Sequence, residues 1–213
     1  VQTAVFSTIA SLEPAPSSDW DRNSQAALLQ GEILLKTRPH SAWGGAVTAA
    51  MYLPIARQAV WQQVTDYPRW VQYFPDLIRS EVLHCGDGLT QSGKRLYQVA
   101  SKAFLFFSAQ VEIYLKVFEV VSLGGASAAI PSTKDGARSG ETQQIQFRLE
   151  KGNFHDFAAD LKLQDYLNGT LLTYSVQATP TIPVPSQLIQ QAIQLDLPSN
   201  MRRMRDVLCG VRK

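Results

Sequence analysis

The sequence predicts an α+β fold in which a curved antiparallel sheet wraps around a long C-terminal helix, with two short helices after the first strands. Three observations carry this. Between residues 31 and 178 most of the chain alternates apolar and polar side chains, the period of strands with one apolar face. Within that stretch the spacing turns helical only at 54–73. Residues 185–209, PSQLIQQAIQLDLPSNMRRMRDVLC, then put Leu188, Ala192 and Leu195, followed by Met201, Met204 and Leu208, on one helical stripe. The opposite face carries Gln190, Gln191, Gln194, Arg202, Arg203 and Asp206. A one-sided sheet needs a cover, and this is the only long helix the pattern offers. Pro198 takes away a backbone donor, which predicts a kink or a split with Ser199 and Asn200 at the break.

At 213 residues the chain suits one large domain, or one domain with a tail. Apolar residues at 45% and charged residues at 18% are ordinary for a soluble globular protein. A net charge of +2 supplies no broad field for nucleic acid or for an acidic membrane. The basic cluster Arg202, Arg203 and Arg205 falls near the end of the last helix, where the helix dipole favours cations. No apolar run approaches the roughly 20 residues that span a bilayer. Residues 1–12 are apolar but have no basic start, so they do not read as a signal peptide. Cys85 and Cys209 form no CxxC and no framework, and read as buried thiols.

Taken in order, residues 1–28 hold Pro14, Pro16, Ser17 and Ser18 with weak periodicity, and read as a flexible arm ending in a short helix near 24–29. Residues 31–38 and 46–53 are strands that can pair as a hairpin; Val47, Ala49, Met51 and Leu53 share one phase of the second. Pro54 opens a helix at a position where its missing N–H costs little, and Ala56, Val60 and Val64 share a face of it. Asp66 can cap a second short helix at 69–73, which Pro75 stops. Strands follow at 78–85, 94–100 and 104–121. The last is the clearest, with Ala109, Val111, Ile113, Leu115 and Val117 in one phase and Gln110, Glu112, Tyr114 and Lys116 in the other. Residues 122–141, rich in Gly, Ser and Ala, read as a mobile hairpin insert. Residues 142–150, with Ile145, Phe147 and Leu149 in phase, pair with 154–164 and then 170–178, where Leu172, Tyr174 and Val176 share a phase. Gly152-Asn153 and Asn168-Gly169 supply the tight turns.

Catalytic constellations are scarce. His40, His84 and His155 lack metal-ligand spacing, and no phosphate loop, dinucleotide fingerprint or nucleophile elbow is present. No metal or cofactor is expected. Asp156 and Asp160 share one side of a strand and read as solvated surface charges. What remains is a concave apolar face. Val47, Ala49, Met51, Val111, Ile113, Leu115, Ile145, Phe147 and Tyr174 point toward Leu188, Ala192 and Leu195, with Tyr97 and Tyr174 as the polar groups. The pattern leaves two outcomes open: a solid core, or a cavity for an apolar ligand with few polar anchors.

Val60-Trp61, Thr65-Asp66-Tyr67, Phe74-Pro75 and Ser80-Glu81-Val82-Leu83 stand in the order and spacing of one known family. Gly152-Asn153-Phe154, Gly169-Thr170-Leu171-Leu172-Thr173-Tyr174 and Leu197-Pro198-Ser199-Asn200-Met201 continue the match. The chain resembles the START-like helix-grip superfamily (SRPBCC, Bet v 1-like) in its polyketide cyclase/dehydrase and coenzyme-Q-binding branch, and is most like cyanobacterial and plastid members. It departs at Asn153, where the family often has Asp, and at Leu161, where it often has Trp; the smaller Leu161 would enlarge the cavity or repack it. The resemblance covers about 31–209 and implies a single START-like domain at 29–211 with a seven-stranded or similar sheet. It implies a protein that binds a hydrophobic small molecule, such as a quinone, an isoprenoid or an acyl lipid, between sheet and C-terminal helix. The alternative is an aromatase/cyclase-type enzyme using the same cavity. The expected partner is that ligand, with no nucleic acid and with transient membrane contact, in a cytoplasmic or membrane-peripheral setting.

Overall fold

Alternating apolar positions zip into eight strands in the computed structural model, which describes residues 22–38, 40–41, 43–83, 93–104, 107–123, 141–182, 184–185, 188–189 and 192–210. They are β1 (Leu34–Arg38), β2 (Gly45–Leu53), β3 (Leu77–Leu83), β4 (Lys94–Phe104), β5 (Phe107–Leu123), β6 (Glu141–Gly152), β7 (Phe154–Tyr166) and β8 (Gly169–Pro180). All pair antiparallel in the order β1-β2-β8-β7-β6-β5-β4-β3. The ends of β5 and β6 include Ser122, Leu123 and Glu141, paired across the strands, which were expected in the insert. The rest of that insert, 124–140, lies outside the described residues, as do 1–21 of the expected arm and the segment 84–92 with His84 and Cys85. The helix anticipated near 24–29 is α1 (Arg22–Leu29), and its Leu28 is buried against Ala50 and Leu171. Packing therefore reaches back before residue 29.

Consecutive strands β2 and β3 lie far apart in the sheet, so the segment between them must cross its concave side. That segment folds as α2 (Arg57–Val64), a single 3₁₀ turn (Tyr67–Arg69) and α3 (Trp70–Tyr73). The helix expected to open at Pro54 starts three residues later. Ala56 is its extended N-cap, and Pro54 sits in the preceding bend. The reason is a tether: the Thr170 hydroxyl donates to the Ile55 carbonyl at 2.8 Å, holding 54–56 against β8. Asp66 occupies the capping position before the 3₁₀ turn, but its side chain makes no cap bond. Packing takes over that role. The Trp70 indole N–H donates to the Val64 carbonyl at 2.8 Å, and the Ser80 hydroxyl to the Tyr67 carbonyl at 2.7 Å. The Trp70 ring lies 5.0 Å from Phe147 and stacks on Phe74 at 5.7 Å. Such ring pairs each contribute about 0.5–1.5 kcal/mol beyond their buried area, which outweighs the ~1 kcal/mol of a missing cap.

The C-terminal helix runs through Pro198 and is broken in a different place. Residues Leu197–Leu208 form α4, with Pro198 inside its first turn and Ser199 and Asn200 helical. The irregularity precedes the proline: Ala192–Asp196 are a π-turn. Pro198 leaves one upstream carbonyl without its i+4 donor, and i→i+5 bonding is the geometry that reaches past the gap. The added residue per turn rotates the stripe. Leu197, Met201, Met204 and Leu208 are buried, whereas Leu195 is 64% exposed.

The β7–β8 turn also departs from expectation. Its two loop residues are Leu167 and Asn168, and Gly169 is already paired with Tyr166 in β8. A Cβ at Gly169 would run into the Leu53 carbonyl oxygen and the Tyr52 hydroxyl, so glycine is used for close approach, and the positive φ of 49° falls on Leu167. A branched side chain there is strained by roughly 1–2 kcal/mol. Leu167→Gly is expected to raise unfolding free energy by about 1 kcal/mol in urea titration, while Gly169→Ala lowers it. A less stable Leu167→Gly protein would contradict this account of the turn.

Candidate functional site

The strand pair β2–β8 sets one wall of a cavity. Val47 faces Val176, and Ala49 faces Tyr174, across its ladder. Toward the open end of that ladder side chains shrink to Gly45 and Ala178, and Gly44 and Pro180 follow. Opposite this thin end lies the wide π-turn, again with a small residue, Ala192. Small side chains on two facing walls cannot meet, and a cavity of about 440 Å³ remains between them. Leu188, Ile189 and Leu197 line it from the helix side and Phe74 closes it from the end of α3. Ala192 is exposed as well as lining, so the cavity opens to solvent beside it. Another depression, bordered by Arg202, Arg203 and Arg205, is polar and lies on the outer side of the helix.

Four residues with polar side chains contribute to the apolar lining: Tyr174, Asp76, Asp196 and Asn200. Tyr174 is 9% exposed, and among the described residues its hydroxyl has no hydrogen-bond partner. Burial, with the charge of Asp160 adding to it, pushes its ionisation well above the ordinary phenol range, so the hydroxyl keeps its proton. Among the described residues the lining contains no Lys, Arg or His.

The residues expected from the sequence divide into three groups. Val47, Tyr174, Leu188 and Ala192 line the cavity. Ala49, Met51, Ile113, Leu115, Ile145 and Phe147 face the same side but are buried in solid core. Tyr67 and Trp70 fill the space in front of the sheet's centre, their rings 6.2 Å and 5.0 Å from Phe147. Val111, Tyr97 and Leu195 lie elsewhere. Val111 is half-buried opposite Ala100, outside the core and the lining. Tyr97 pairs with Tyr114 on the convex face, rings 4.7 Å apart, with Arg79 over Tyr97 and Lys151 over Tyr114. The pairing puts Tyr97 in the outward phase already carried by Glu112 and Lys116. Leu195 is turned out by the π-turn. Asp156 and Asp160 are partly exposed and paired, to His40 at 3.0 Å and Arg148 at 2.8 Å. Leu161, at the family's Trp position, is fully buried in the core across from Tyr174, and Asn153 uses its side-chain oxygen to accept the Glu112 N–H at 2.7 Å, as an Asp there would. Cys209 is a free, half-buried thiol.

Sequence reasoning missed the glycine pair Gly44-Gly45, Phe74, and the carboxylates Asp76 and Asp196. Val176 and Ala178 carried a signal, since they continue the Tyr174 phase.

Residues 53–205 match the family model described as polyketide cyclase / dehydrase and lipid transport. No curated protein sequence matches the chain. Among solved structures it is similar to a protein of Thermus thermophilus, at 16% identity and TM-score 0.53, over 79% of this chain and 99% of that one. It is equally similar to the STAR-related lipid transfer protein of Xanthomonas axonopodis, at 14% identity and TM-score 0.53, over 82% and 98%. At these identities the likeness concerns the fold, an open curved sheet gripping a C-terminal helix.

Burial raises the ionisation of Tyr67 and Tyr174 strongly and that of Tyr73 to about 12. In the unfolded chain each titrates near ~10. The folded state thus holds protons that the unfolded state gives up, and stability is full below about pH 10 and falls as pH rises from there toward the folded values. Absorbance titration of phenolate is expected to show these tyrosines ionising only together with loss of structure. Smooth titration of all seven tyrosines near pH 10 would contradict their burial.

Proposed function

We propose, from the premise that this chain belongs to the polyketide cyclase / dehydrase and lipid transport family, that it binds a hydrophobic small molecule in the cavity between β2–β8 and the C-terminal helix. The observation that carries the reading is the cavity itself: about 440 Å³ of space walled by Val47, Phe74, Val176, Leu188 and Ile189 and open to solvent beside Ala192. A concave apolar site of this size is where small hydrophobic ligands bind. A quinone, another isoprenoid or an acyl lipid fits the apolar walls. Transient membrane contact belongs to the same reading. Trp43, Ile182 and Leu195 are exposed apolar residues within two positions of the lining, where a ligand could pass to a bilayer.

One observation favours a second reading, an aromatase/cyclase-type enzyme. Asp76 and Asp196 are among the lining residues, and a cavity that folds a poly-β-ketone needs acidic or basic groups of this kind in order to move protons. Under that reading Asp76→Asn and Asp196→Asn would abolish product formation from a poly-β-ketone thioester while leaving apolar probes bound.

Ala192→Trp tests the binding reading. Ala192 is exposed at the opening, so the added ring should occupy cavity space without displacing protein. Binding of 1-dodecanol or a short-tailed quinone, read by calorimetry, is expected to fall at least about ten-fold, the equivalent of ~1.4 kcal/mol, with the melting temperature kept. The opposite pattern would remove its support: a variant destabilised by the ~1–3 kcal/mol of overpacking, in a protein that binds neither probe and yields no lipid on solvent extraction.

A further inference from the structure

We infer that the mouth of the cavity docks on an anionic lipid bilayer, with apolar side chains of the rim entering the acyl layer and arginines of the last helix meeting the headgroup phosphates. This rests on the binding reading above and names the surface that delivers or receives the ligand. The rim supplies the first argument. Among the described residues seven large apolar side chains are exposed, and three of them, Trp43, Ile182 and Leu195, stand within two positions of the lining of one cavity. They come from three separate stretches: Trp43 precedes Gly44 before β2, Ile182 follows Pro180 after β8, and Leu195 belongs to the π-turn. Exposed apolar side chains gathered at one opening mark an interaction surface. A tryptophan there has the amphipathic ring that settles at membrane interfaces.

Charge supplies the second and decides which surface. The outer side of α4 carries Arg202, Arg203 and Arg205 around a groove of about 530 Å³, against one carboxylate, Asp206, among the described residues. The Arg203 Nε donates to the Gln72 carbonyl at 2.7 Å, and the Arg205 guanidinium donates to the Gly31 carbonyl. Those acceptors are neutral, so they orient the guanidiniums without cancelling their charge, and each guanidinium keeps further donors. Arg202 is exposed and forms no ion pair among the described residues. Guanidiniums held in this way suit phosphate oxygens.

Position supplies the third. Groove and cavity border the same two segments: Pro75 and Ser199 line the groove, while Phe74, Asp76 and Asn200 line the cavity. Leu195 and Arg202 are both exposed and lie seven residues apart, two helical turns and ~10 Å along the axis. Apolar faces of membrane-docked elements sink roughly 5–10 Å, to the boundary between headgroups and acyl chains. With Leu195 at that depth, Arg202 stands among the phosphates, and the opening beside Ala192 faces the bilayer.

The test uses the full chain and two vesicles, phosphatidylcholine alone and phosphatidylcholine with about 30% phosphatidylserine, read by co-sedimentation. The anionic vesicle is expected to bind at least about ten-fold more tightly, and less so as salt rises from about 0.1 M to about 0.5 M. Arg202→Gln with Arg203→Gln should weaken that binding by roughly twenty-five-fold, about five-fold for each charge removed. The same variant should keep its weak binding to the neutral vesicle and its uptake of 1-dodecanol. Ile182→Ser with Leu195→Ser should weaken both vesicles several-fold. Bromine-labelled acyl chains should quench tryptophan fluorescence in the unaltered chain and lose that effect in Trp43→Phe, which checks that the rim enters the acyl layer. Equal binding to the two vesicles, or anionic binding that survives the arginine changes, would overturn the docking face while leaving the cavity a ligand site. So would a chain that takes up dodecanol and binds neither vesicle, the result expected if this face meets another protein. Displacement from vesicles by soluble glycerophosphoserine would overturn it too, by making the groove a site for a single free phosphate. No uptake of dodecanol and no response to Ala192→Trp would overturn the binding reading and this inference with it.

Discussion

The connection from β2 to β3 is the constraint on which the rest of this structure depends. These strands are neighbours in sequence, yet five strands lie between them in the sheet. Fewer than thirty residues must bridge that width across the concave face, and they do so only because Trp70 anchors them at the midpoint. Its indole N–H satisfies the last turn of α2, its ring meets Phe147 on the sheet, and Phe74 stacks behind it. Arg57 secures the start of the crossing by ion pairs to Asp165 and Glu141 near the ends of β7 and β6. Burial works against that charge, and the two carboxylates outweigh it. A cation in the first turn of a helix opposes the dipole, so Arg57 is placed for the crossover and not for α2 itself.

This crossing decides where the cavity can be. Tyr67, Trp70 and Tyr73 fill the middle of the grip, and Met201 and Met204 close over them. The centre of the sheet is solid for that reason, although its inward residues look no different in sequence from those that line the opening. Space survives only beyond the reach of these rings, at the β2–β8 end, where glycine and alanine face the π-turn. The convex face is organised by charge instead. Arg95–Glu150 and Arg148–Asp160 pair across it; exposed pairs of this kind contribute ~0–1 kcal/mol each and mainly keep the outer side wet.

The irregular helix and the ligand reading are connected. A regular helix from 188 onward would carry the stripe of Leu188, Ala192 and Leu195 on to Ser199, Arg202 and Asp206, which cannot pack on the sheet. The π-turn lets two stripes of different phase serve one element: Leu188 and Ala192 face the cavity, while Leu197, Met201, Met204 and Leu208 face the core. Pro198 is the chemical cause, and its consequence is a wide, weakly packed turn at the opening, the place where a ligand must pass. π-turns recur at functional sites for this kind of reason.

Local periodicity by itself determined the strands, the helical crossover, the terminal helix and the inward side of β2, β5, β6 and β8, because a period of 2 or 3.6 is a property of neighbours along the chain. Val47, Tyr174, Leu188 and Ala192 were legible in that way. Residue spacing could not separate Val47 from Ala49 and Met51, which share its phase; the difference is whether Trp70 or empty space stands opposite, and that depends on residues far along the chain. Tyr97 was misplaced because register with Tyr114 sets its face, and Leu195 because a proline three residues on changes the helix it belongs to. Asp76 and Asp196 lie 120 positions apart and acquire meaning only when the end of α3 and the π-turn approach one cavity. Tertiary structure decided the site because a cavity is a relation between walls, and no single stretch of chain contains both.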